Sequence, residues 1–290
     1  MSLLPSPPAP GEPNALGEFL RSRRDALTPE DVGIASYGMR RVTGLRREEL
    51  AQLAGVSVAY YTRLEQGQSA SASDSIIEAL ARALRLRDDE RAHLFALARP
   101  RRAQDARPPR PEHASPGGAE LVQAMTDVPA VLLGRRNDVL AWNRLGHALL
   151  AGHLAFAPTP EPGERPNLTR MLFLDPHSRE LYRDWDEEAA MAVASLRFIA
   201  GRYPDDRALT EMIGELTLRS QAFTELWARR EVRLCSSGAK ELRHPEVGPV
   251  SVTFQALHVP DAEGQRILTH TATAGSPSAN ALHLLRLAIG

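Results

Sequence analysis

Arginines crowd one stretch of this chain and are the residues best suited to binding chemistry. Arg40, Arg41, Arg46, Arg47 and Arg63 all lie there. A guanidinium holds its N–H donors in a planar fork, so it can bond a phosphate, or guanine O6 and N7, through two hydrogen bonds at once. The same stretch also contains Glu48, and we expect Glu49 and Glu65 to pair with arginines inside the fold rather than to read bases. Which arginines face outward depends on the helices that carry them.

Residues 45–68, LRREELAQLAGVSVAYYTRLEQGQ, have the spacing of two short helices joined by a tight turn. The small side chain of Ala51 lets the second helix cross closely, and Gly55 permits the positive φ of such a turn. Ser57 can cap the second helix. Apolar residues fall on the inner faces: Leu50, Ala54, Tyr61 and Leu64. The spacing predicts a helix–turn–helix, although an ordinary helical hairpin has the same pattern.

Composition limits the class of protein. The chain has 290 residues, 43% of them apolar, which excludes wholesale disorder. The single cysteine, Cys235, excludes an internal disulfide framework and a cysteine-based zinc cluster. No basic start precedes an apolar core, and no apolar run reaches roughly 18 residues, so we expect neither a signal peptide nor a membrane span. We expect a soluble, cytoplasmic protein.

Proline-rich stretches predict the domain boundaries. Residues 1–14 form an expected disordered tail and residues 99–118 an expected linker, which leaves a helical domain at 15–98 and a mixed domain at 119–290. The net charge of −1 is an average, because residues 1–112 carry +2 and residues 113–290 carry −3. Lys240 is the only lysine, which we attribute to an arginine-biased genome.

Periodicity predicts the elements of both domains. After a first helix around Leu16–Leu20, the first domain has predicted helices at 46–53, 57–65, 73–85 and 88–98. In the second domain, strands are predicted at 130–133, 138–142, 241–244, 250–258 and 265–273, and helices at 143–151, 184–203, 206–229 and 278–289. Strands, then helices, then strands again predict an α+β domain with an antiparallel sheet.

Enzymatic signatures are weak. His147 and His153 are too far apart to share one helical face as metal ligands, and no His-Glu-x-x-His run, nucleophile elbow or phosphate-binding glycine loop occurs. His244 precedes a proline in an expected turn, and Cys235 lies in a strand-like stretch as an expected buried thiol. We therefore expect no metal, no cofactor and no catalysis.

Several stretches together carry a family resemblance: GLRREELAQLAGVSVAYYTRLEQG at 44–67, DVLAWNRLGHALL at 138–150, NLTRMLFLDPHSRELYRDWDEEA at 167–189 and KELRHPEVGPVSV at 240–252. They resemble the actinobacterial MmyB-like transcription regulators, with a Cro/repressor-like (XRE-type) helix–turn–helix before a PAS-like ligand-binding domain. The resemblance implies a multi-domain protein. An all-α, five-helix, lambda-repressor-like domain is followed by an α+β, PAS-like domain with an antiparallel sheet.

In such domains the second motif helix enters the major groove. The resemblance implies that Val58, Ala59, Tyr60 and Arg63 face the bases, with Arg63 as the guanine contact and Ser57 at the helix start. Tyr60 is either a groove contact or a surface aromatic.

Phosphate contacts are expected beside this helix. Arg46 and Arg47 lie at the start of the first motif helix, where N–H groups also face outward, and Gln66 lies just beyond the second. Arg40 and Arg41 either add phosphate contacts or lie in a solvated loop.

For the second domain, the resemblance implies a ligand, with a hydrophobic or fatty-acid-like molecule expected. Apolar residues are candidates for the lining, and each is also compatible with plain core: Leu132, Trp142, Leu172, Phe173, Phe198, Trp227 and Phe254. Arg170, Arg197 and Tyr203 are candidates for holding a carboxylate or are simply solvated.

The sequence thus predicts a cytoplasmic, nucleoid-associated regulator that binds a double-stranded DNA operator, as a homodimer on a partly palindromic site. Its second domain would sense a small molecule. The alternative is a DNA-binding scaffold whose second domain recruits a protein partner without a small ligand. An enzyme with a DNA-binding domain would need titratable groups converging on a cleft.

Overall fold

A computed structural model describes residues 14–34, 42, 44–68, 72–98, 112–260, 262 and 264–289 of the chain. The chain divides into two compact units: the first comprises the part up to residue 106 together with the short segment 200–205, and the second comprises the rest. Within the described residues, the first unit has five α-helices and one 3-10 turn, Glu30–Val32. The helices are α1 (Ala15–Ala26), α2 (Arg47–Leu53), α3 (Val58–Glu65), α4 (Asp74–Ala83) and α5 (Asp88–Ala98). The five-helix expectation is confirmed.

Local chemistry positions α2 and α3 as the sequence predicts. Gly55 has φ of +67° in the turn between them, a conformation that costs glycine little. The Ser57 hydroxyl accepts from the Tyr60 N–H at 3.2 Å and so caps α3. A Cβ at Gly17 of α1 would lie 2.1 Å from the Glu65 carbonyl oxygen, so glycine there permits the close approach of α1 to the end of α3.

The core of the first unit is formed by the predicted inner faces. Its fully buried side chains come from each helix: Leu20, Leu50, Tyr61, Leu64, Ile77, Leu80 and Leu94. Their burial provides most of the free energy that holds such short helices together, since helices of this length are marginal in isolation.

The second unit is built on one antiparallel sheet, with strand order β2-β1-β5-β4-β3. The strands are β1 (Ala130–Leu133), β2 (Val139–Trp142), β3 (Ser237–His244), β4 (Gly248–His258) and β5 (Arg266–Thr271). The helices are α6 (Pro116–Ala124), α7 (Arg144–Ala151), α8 (Leu168–Leu174), α9 (Pro176–Leu181), α10 (Trp185–Arg202), α11 (Arg207–Arg219), α12 (Gln221–Ala228) and α13 (Pro277–Ala288). The α+β, PAS-like expectation with an antiparallel sheet is confirmed.

The two faces of this sheet bury different clusters. One face, here called the inner face, packs Val131, Trp142 and Val252 against residues of α7 and α13. The other, the outer face, packs Leu132 and Ile267 against α6. Along β4, inner-face positions are buried while the outer-face residues Ser251, Thr253 and Gln255 are exposed. The buried side chains of β3 and β4 therefore lie on the inner face.

Boundaries differ from the sequence prediction at several points. The expected helix at 206–229 divides into two, because Ser220 has an extended backbone and caps α12 through the Phe223 N–H. Asn14, assigned to the tail, caps α1 by accepting from Gly17 N–H at 2.9 Å. Residues 112–118, assigned to the linker, contain a described segment and the start of α6. Cys235 is half-buried in a segment before β3, not in a strand.

Candidate functional site

The outward side of α3 presents four side chains, here called the recognition surface: Val58, Ala59, Tyr60 and Arg63. Val58 is 46% exposed, and Ala59 and Arg63 are exposed as well. Tyr60 is half-buried, with its ring centroid 6.0 Å from the Arg63 guanidinium carbon. Helical spacing puts Ala59 and Arg63 one turn apart on the same face. The structure thus brings together all four side chains expected to face bases.

A buried carboxylate fixes the opposite side of α3. Glu65, whose side chain is 2% exposed, accepts from Arg24 Nε at 2.9 Å and from Arg47 Nε. The Tyr61 hydroxyl donates to the same carboxylate at 3.2 Å. Arg24 also donates to the Leu45 carbonyl at 2.6 Å. These contacts, here called the Glu65 cluster, connect α1, α2, α3 and the residues just before α2.

Electrostatics in the Glu65 cluster follow from burial and charge. Burial alone would lower the pKa of Arg24, but the hydrogen bond and the charge of Glu65 raise it overall. Burial first, and the Glu65 charge second, raise the pKa of Tyr61. Arg24 therefore stays charged and Tyr61 stays protonated as a donor. Glu65 is an intradomain partner of arginines, as expected.

The expected phosphate contacts lie at the edges of the recognition surface. The side chains of Arg46 and Arg47 are 47% and 46% exposed, and Gln66 is exposed as well. Arg46 lies 3.7 Å from Glu48, and its N–H donates to Glu49 at 2.7 Å, so Glu49 helps to cap α2. Arg47 keeps an exposed guanidinium while its Nε is held by Glu65. Arg40 and Arg41 lie outside the described residues.

In the second unit, the structure does not bring the expected lining residues together. Leu132 pairs with Ala141 and Ile267 and belongs to the outer-face cluster, whereas Trp142 and Phe254 lie on the inner face. Leu132 and Trp142 therefore lie on opposite faces of the sheet. Successive residues of a strand point to opposite faces, which separates Leu132 from its neighbour Val131.

A third group of lining candidates lies among helices. Phe173 packs edge-on against Trp185 at 5.6 Å and Phe223 at 5.2 Å, and Phe223 stacks on Trp227 at 5.6 Å between centroids. Leu172 belongs to the same cluster through its carbonyl, which accepts from the Trp185 indole at 2.9 Å. These residues form a packed aromatic layer between α8, α10 and α12. Phe198 is half-buried on α10.

The arginines considered for a carboxylate have partners within the protein. Arg170 pairs with Glu215 at 2.7 Å. The Arg197 guanidinium lies 3.9 Å above the Trp227 ring centroid and donates to the Trp227 carbonyl. Their functional groups are occupied by intramolecular contacts.

The sequence interpretation missed a cluster of charged and aromatic side chains next to the inner face of the sheet. This cluster, here called the inner-face cluster, consists of Lys240, Glu188, Tyr182, Phe254 and His270. Lys240 Nζ contacts Glu188 Oε1 and lies 4.7 Å from the Phe254 centroid and 5.3 Å from that of Tyr182. His270 pairs with Phe254 across β4 and β5 and is fully buried. The only available signal was strand alternation in RILTHT, which places His270 on the same face as Leu268.

A helix–turn–helix unit with an outward α3 is followed by an α+β unit with a layered interior. The helix-turn-helix domain family matches residues 15–94, and the MmyB-like transcription regulator ligand binding domain matches residues 114–285. These matches define a DNA-binding transcription regulator with a ligand-sensing domain. The chain belongs to the MmyB-like transcription regulators. A comparison with curated proteins finds no match.

Across the described residues, the helices are too short or too polar for any of them to span a membrane. In the same part of the chain, histidine, cysteine and acidic residues form no group of three or more that could hold a metal ion.

Proposed function

We propose that α3 recognises a specific double-stranded DNA sequence in the major groove. The observation that carries this proposal is a recognition surface exposed on a helix whose other side is fixed by the Glu65 cluster. A rigid scaffold matters because base contacts need groups held in one geometry. The outward groups then meet the base edges without a large ordering cost.

Arg63 is the principal base contact in this proposal. Its guanidinium is exposed and can bond guanine O6 and N7 together, and Val58 or Ala59 meets a thymine methyl. Arg46, Arg47 and Gln66 contact phosphates on either side, which sets the position of α3 without reading sequence. Two copies of the chain bind a partly palindromic operator as a homodimer, because two half-sites provide useful affinity.

The second unit senses a small hydrophobic molecule in this proposal, of the size and character of a fatty acid. Support comes from its match to a ligand binding domain and from the apolar inner face of the sheet. The regulator acts in the cytoplasm on nucleoid DNA. Ligand binding alters regulation only if the ligand prefers one arrangement of the two DNA-binding units over another.

The test of DNA recognition begins with selection of bound fragments from genomic DNA, which supplies the operator. We expect Arg63→Ala to lower the preference for that operator over a scrambled duplex by about 1–3 kcal/mol, while salt-dependent weak binding remains. Arg82→Ala is the matched control, because Arg82 is an exposed arginine of α4. Equal losses on operator and scrambled duplex for Arg63→Ala would contradict the assignment.

Native mass spectrometry of the purified full chain tests ligand sensing. We expect a bound apolar molecule under some growth condition. Its absence under every condition, together with a partner protein retained by the second unit, would support the scaffold alternative instead.

A further inference from the structure

His270 is a buried polar side chain whose ring nitrogens form no well-aligned hydrogen bond with the described residues. It is 0% exposed, and the nearby Pro129 carbonyl, which raises the pKa of the ring, only partly offsets the effect of burial. Its backbone is fixed, because the His270 N–H donates to the Pro129 carbonyl at 2.9 Å. Buried polar side chains in folded proteins are nearly always bonded, so both ring nitrogens need explaining.

The surroundings of His270 lie on one face of the sheet. Phe254 is directly opposite His270 on β4, and Gly238 is directly opposite Phe254 on β3. A Cβ at Gly238 would lie 2.8 Å from the Phe254 ring, so glycine there lets that ring lie across β3. Lys240, two residues further along β3, points to the same face. The imidazole therefore lies in an apolar interior that contains one charged pair.

The charges of that pair balance each other. Lys240 contacts Glu188, and their side chains are 8% and 16% exposed. Burial, with the Lys240 charge as the second cause, lowers the pKa of His270 to about 3. At neutral pH the imidazole is uncharged, with one ring nitrogen as a donor and the other as an acceptor.

We propose that His270 is the hydrogen-bonding contact for an uncharged polar group, a hydroxyl or a carbonyl, on an otherwise apolar ligand of the second unit. The inference rests on the proposed ligand sensing and specifies its chemistry. A hydroxyl can donate to one ring nitrogen or accept from the other, and a carbonyl can accept. The inference thereby narrows the fatty-acid-like ligand of the proposed function to an uncharged relative, such as a fatty alcohol or ester. A carboxylate fits less well, because it would add an unbalanced negative charge beside the Glu188–Lys240 pair in a buried site.

The experiment uses the full chain and a neutral apolar fluorophore, N-phenyl-1-naphthylamine, which is displaced by octan-1-ol or by octanoate. We expect octan-1-ol to compete more strongly than octanoate. His270→Phe keeps an aromatic ring of similar size, and we expect it to weaken octan-1-ol binding by about tenfold, the value of one neutral hydrogen bond, with unchanged fluorophore affinity.

Thr271→Val is the matched control, because Thr271 is the next residue of β5 and its exposed side chain is on the outer face. We expect it to bind both competitors like the unmodified protein. The inference is overturned, while ligand sensing stands, if octanoate competes more strongly than octan-1-ol. The same holds if His270→Phe leaves the affinity for octan-1-ol unchanged. Failure of the fluorophore and of both competitors to bind would overturn the proposed ligand sensing, and this inference with it.

A second measurement observes the contact in the unmodified protein and uses the variant only to assign signals. In the full chain labelled with ¹⁵N-histidine, the His270 ring signals are assigned as those missing from His270→Phe. We expect octan-1-ol to shift them, since a new hydrogen bond changes the shielding of a ring nitrogen. Signals that do not move at saturating octan-1-ol would overturn the proposed contact.

Discussion

Each unit of this regulator contains a buried polar cluster, and the two differ in whether their hydrogen bonds are complete. In the Glu65 cluster, the carboxylate is met by two guanidinium groups and a phenol. In the inner-face cluster, Lys240 contacts Glu188, whereas His270 has no well-aligned hydrogen-bond partner for its ring among the described residues. A complete cluster stabilises one geometry. An incomplete cluster makes the folded state less stable, because a buried polar group has lost its hydrogen bonds to water without replacing them.

The difference matches the two tasks. In the proposed function, the recognition surface is in place before DNA binds, which fits a support that is internal and complete. The proposed ligand contact would lower the free energy of the second unit, because it would supply the hydrogen bonds that His270 lacks. Four changes test this comparison, and they are ordered by the size of the effect expected.

The largest effect is expected for Glu65→Ala, which leaves the charge of Arg24 buried without its partner. Breaking a buried ion pair costs about 3–5 kcal/mol, so the free energy of unfolding of the first unit should fall by that order. All three tryptophans lie in the second unit. In urea unfolding, tryptophan fluorescence therefore reports the second unit alone. Far-ultraviolet circular dichroism reports the helices of both units, so a transition seen only by circular dichroism belongs to the first unit.

Glu48→Ala is the control for Glu65→Ala, since the Glu48 side chain is 65% exposed. We expect a change within about 0.5 kcal/mol. If Glu65→Ala also costs less than about 1 kcal/mol, the Glu65 cluster does not hold α3 in place.

The next effect is on the free energy of unfolding of the ligand-free second unit, which should fall at acidic pH because of His270. The pKa of His270 is lowered to about 3 in the folded state, against an ordinary value of 6.5. Between these values the unfolded chain binds a proton that the folded chain does not. The contribution of His270 to stability is therefore complete above pH 6.5 and falls by up to about 1.4 kcal/mol per pH unit below it.

Urea unfolding followed by tryptophan fluorescence at pH 7 and pH 5 measures this loss. His270→Phe should flatten the pH dependence relative to the unmodified protein. Parallel curves for the two proteins would mean that His270 is not buried uncharged.

A smaller effect is expected for Arg47→Ala, which removes the proposed phosphate contact beside Glu65. Binding to operator and scrambled duplex should weaken equally, and the slope of log affinity against log salt should fall by about 1. Titrations at several salt concentrations measure both quantities. A loss confined to the operator would instead make Arg47 a base contact.

The smallest effect is expected for Tyr61→Phe, which removes only the hydroxyl that donates to Glu65. The carboxylate keeps both guanidinium partners, so the cost should be about 1 kcal/mol in the unfolding of the first unit. Operator affinity should be almost unchanged. A cost near that of Glu65→Ala would show that Tyr61, and not Arg24, is the essential partner.

Much of the first unit could be predicted from sequence, because its determinants are local. Gly55 and Ser57 mark the turn and the start of α3, and apolar spacing separates the inner from the outer side of each helix. The arginines were harder to assign. Only the structure shows that Arg24, far away in the sequence, shares Glu65 with Arg47.

The interior of the second unit could not be predicted in the same way. The run AVLL at 130–133 is apolar at every position, so sequence alone does not show which of Leu132 and Val131 faces α6 and which faces α7 and α13. The register that decides this is set by pairing with distant β5. The buried contact of Lys240 with Glu188 depends on the packing of α10 beside β3, and no local pattern encodes it.

The single lysine has a practical consequence. Amine-directed reagents and acetylating enzymes have one side-chain target in this chain, Lys240, and its side chain is only 8% exposed. A surface whose positive charges are all guanidinium groups gives such reagents no other lysine to modify. Covalent labelling of that amine, followed by mass spectrometry, would therefore report opening of the second unit from a single modified peptide.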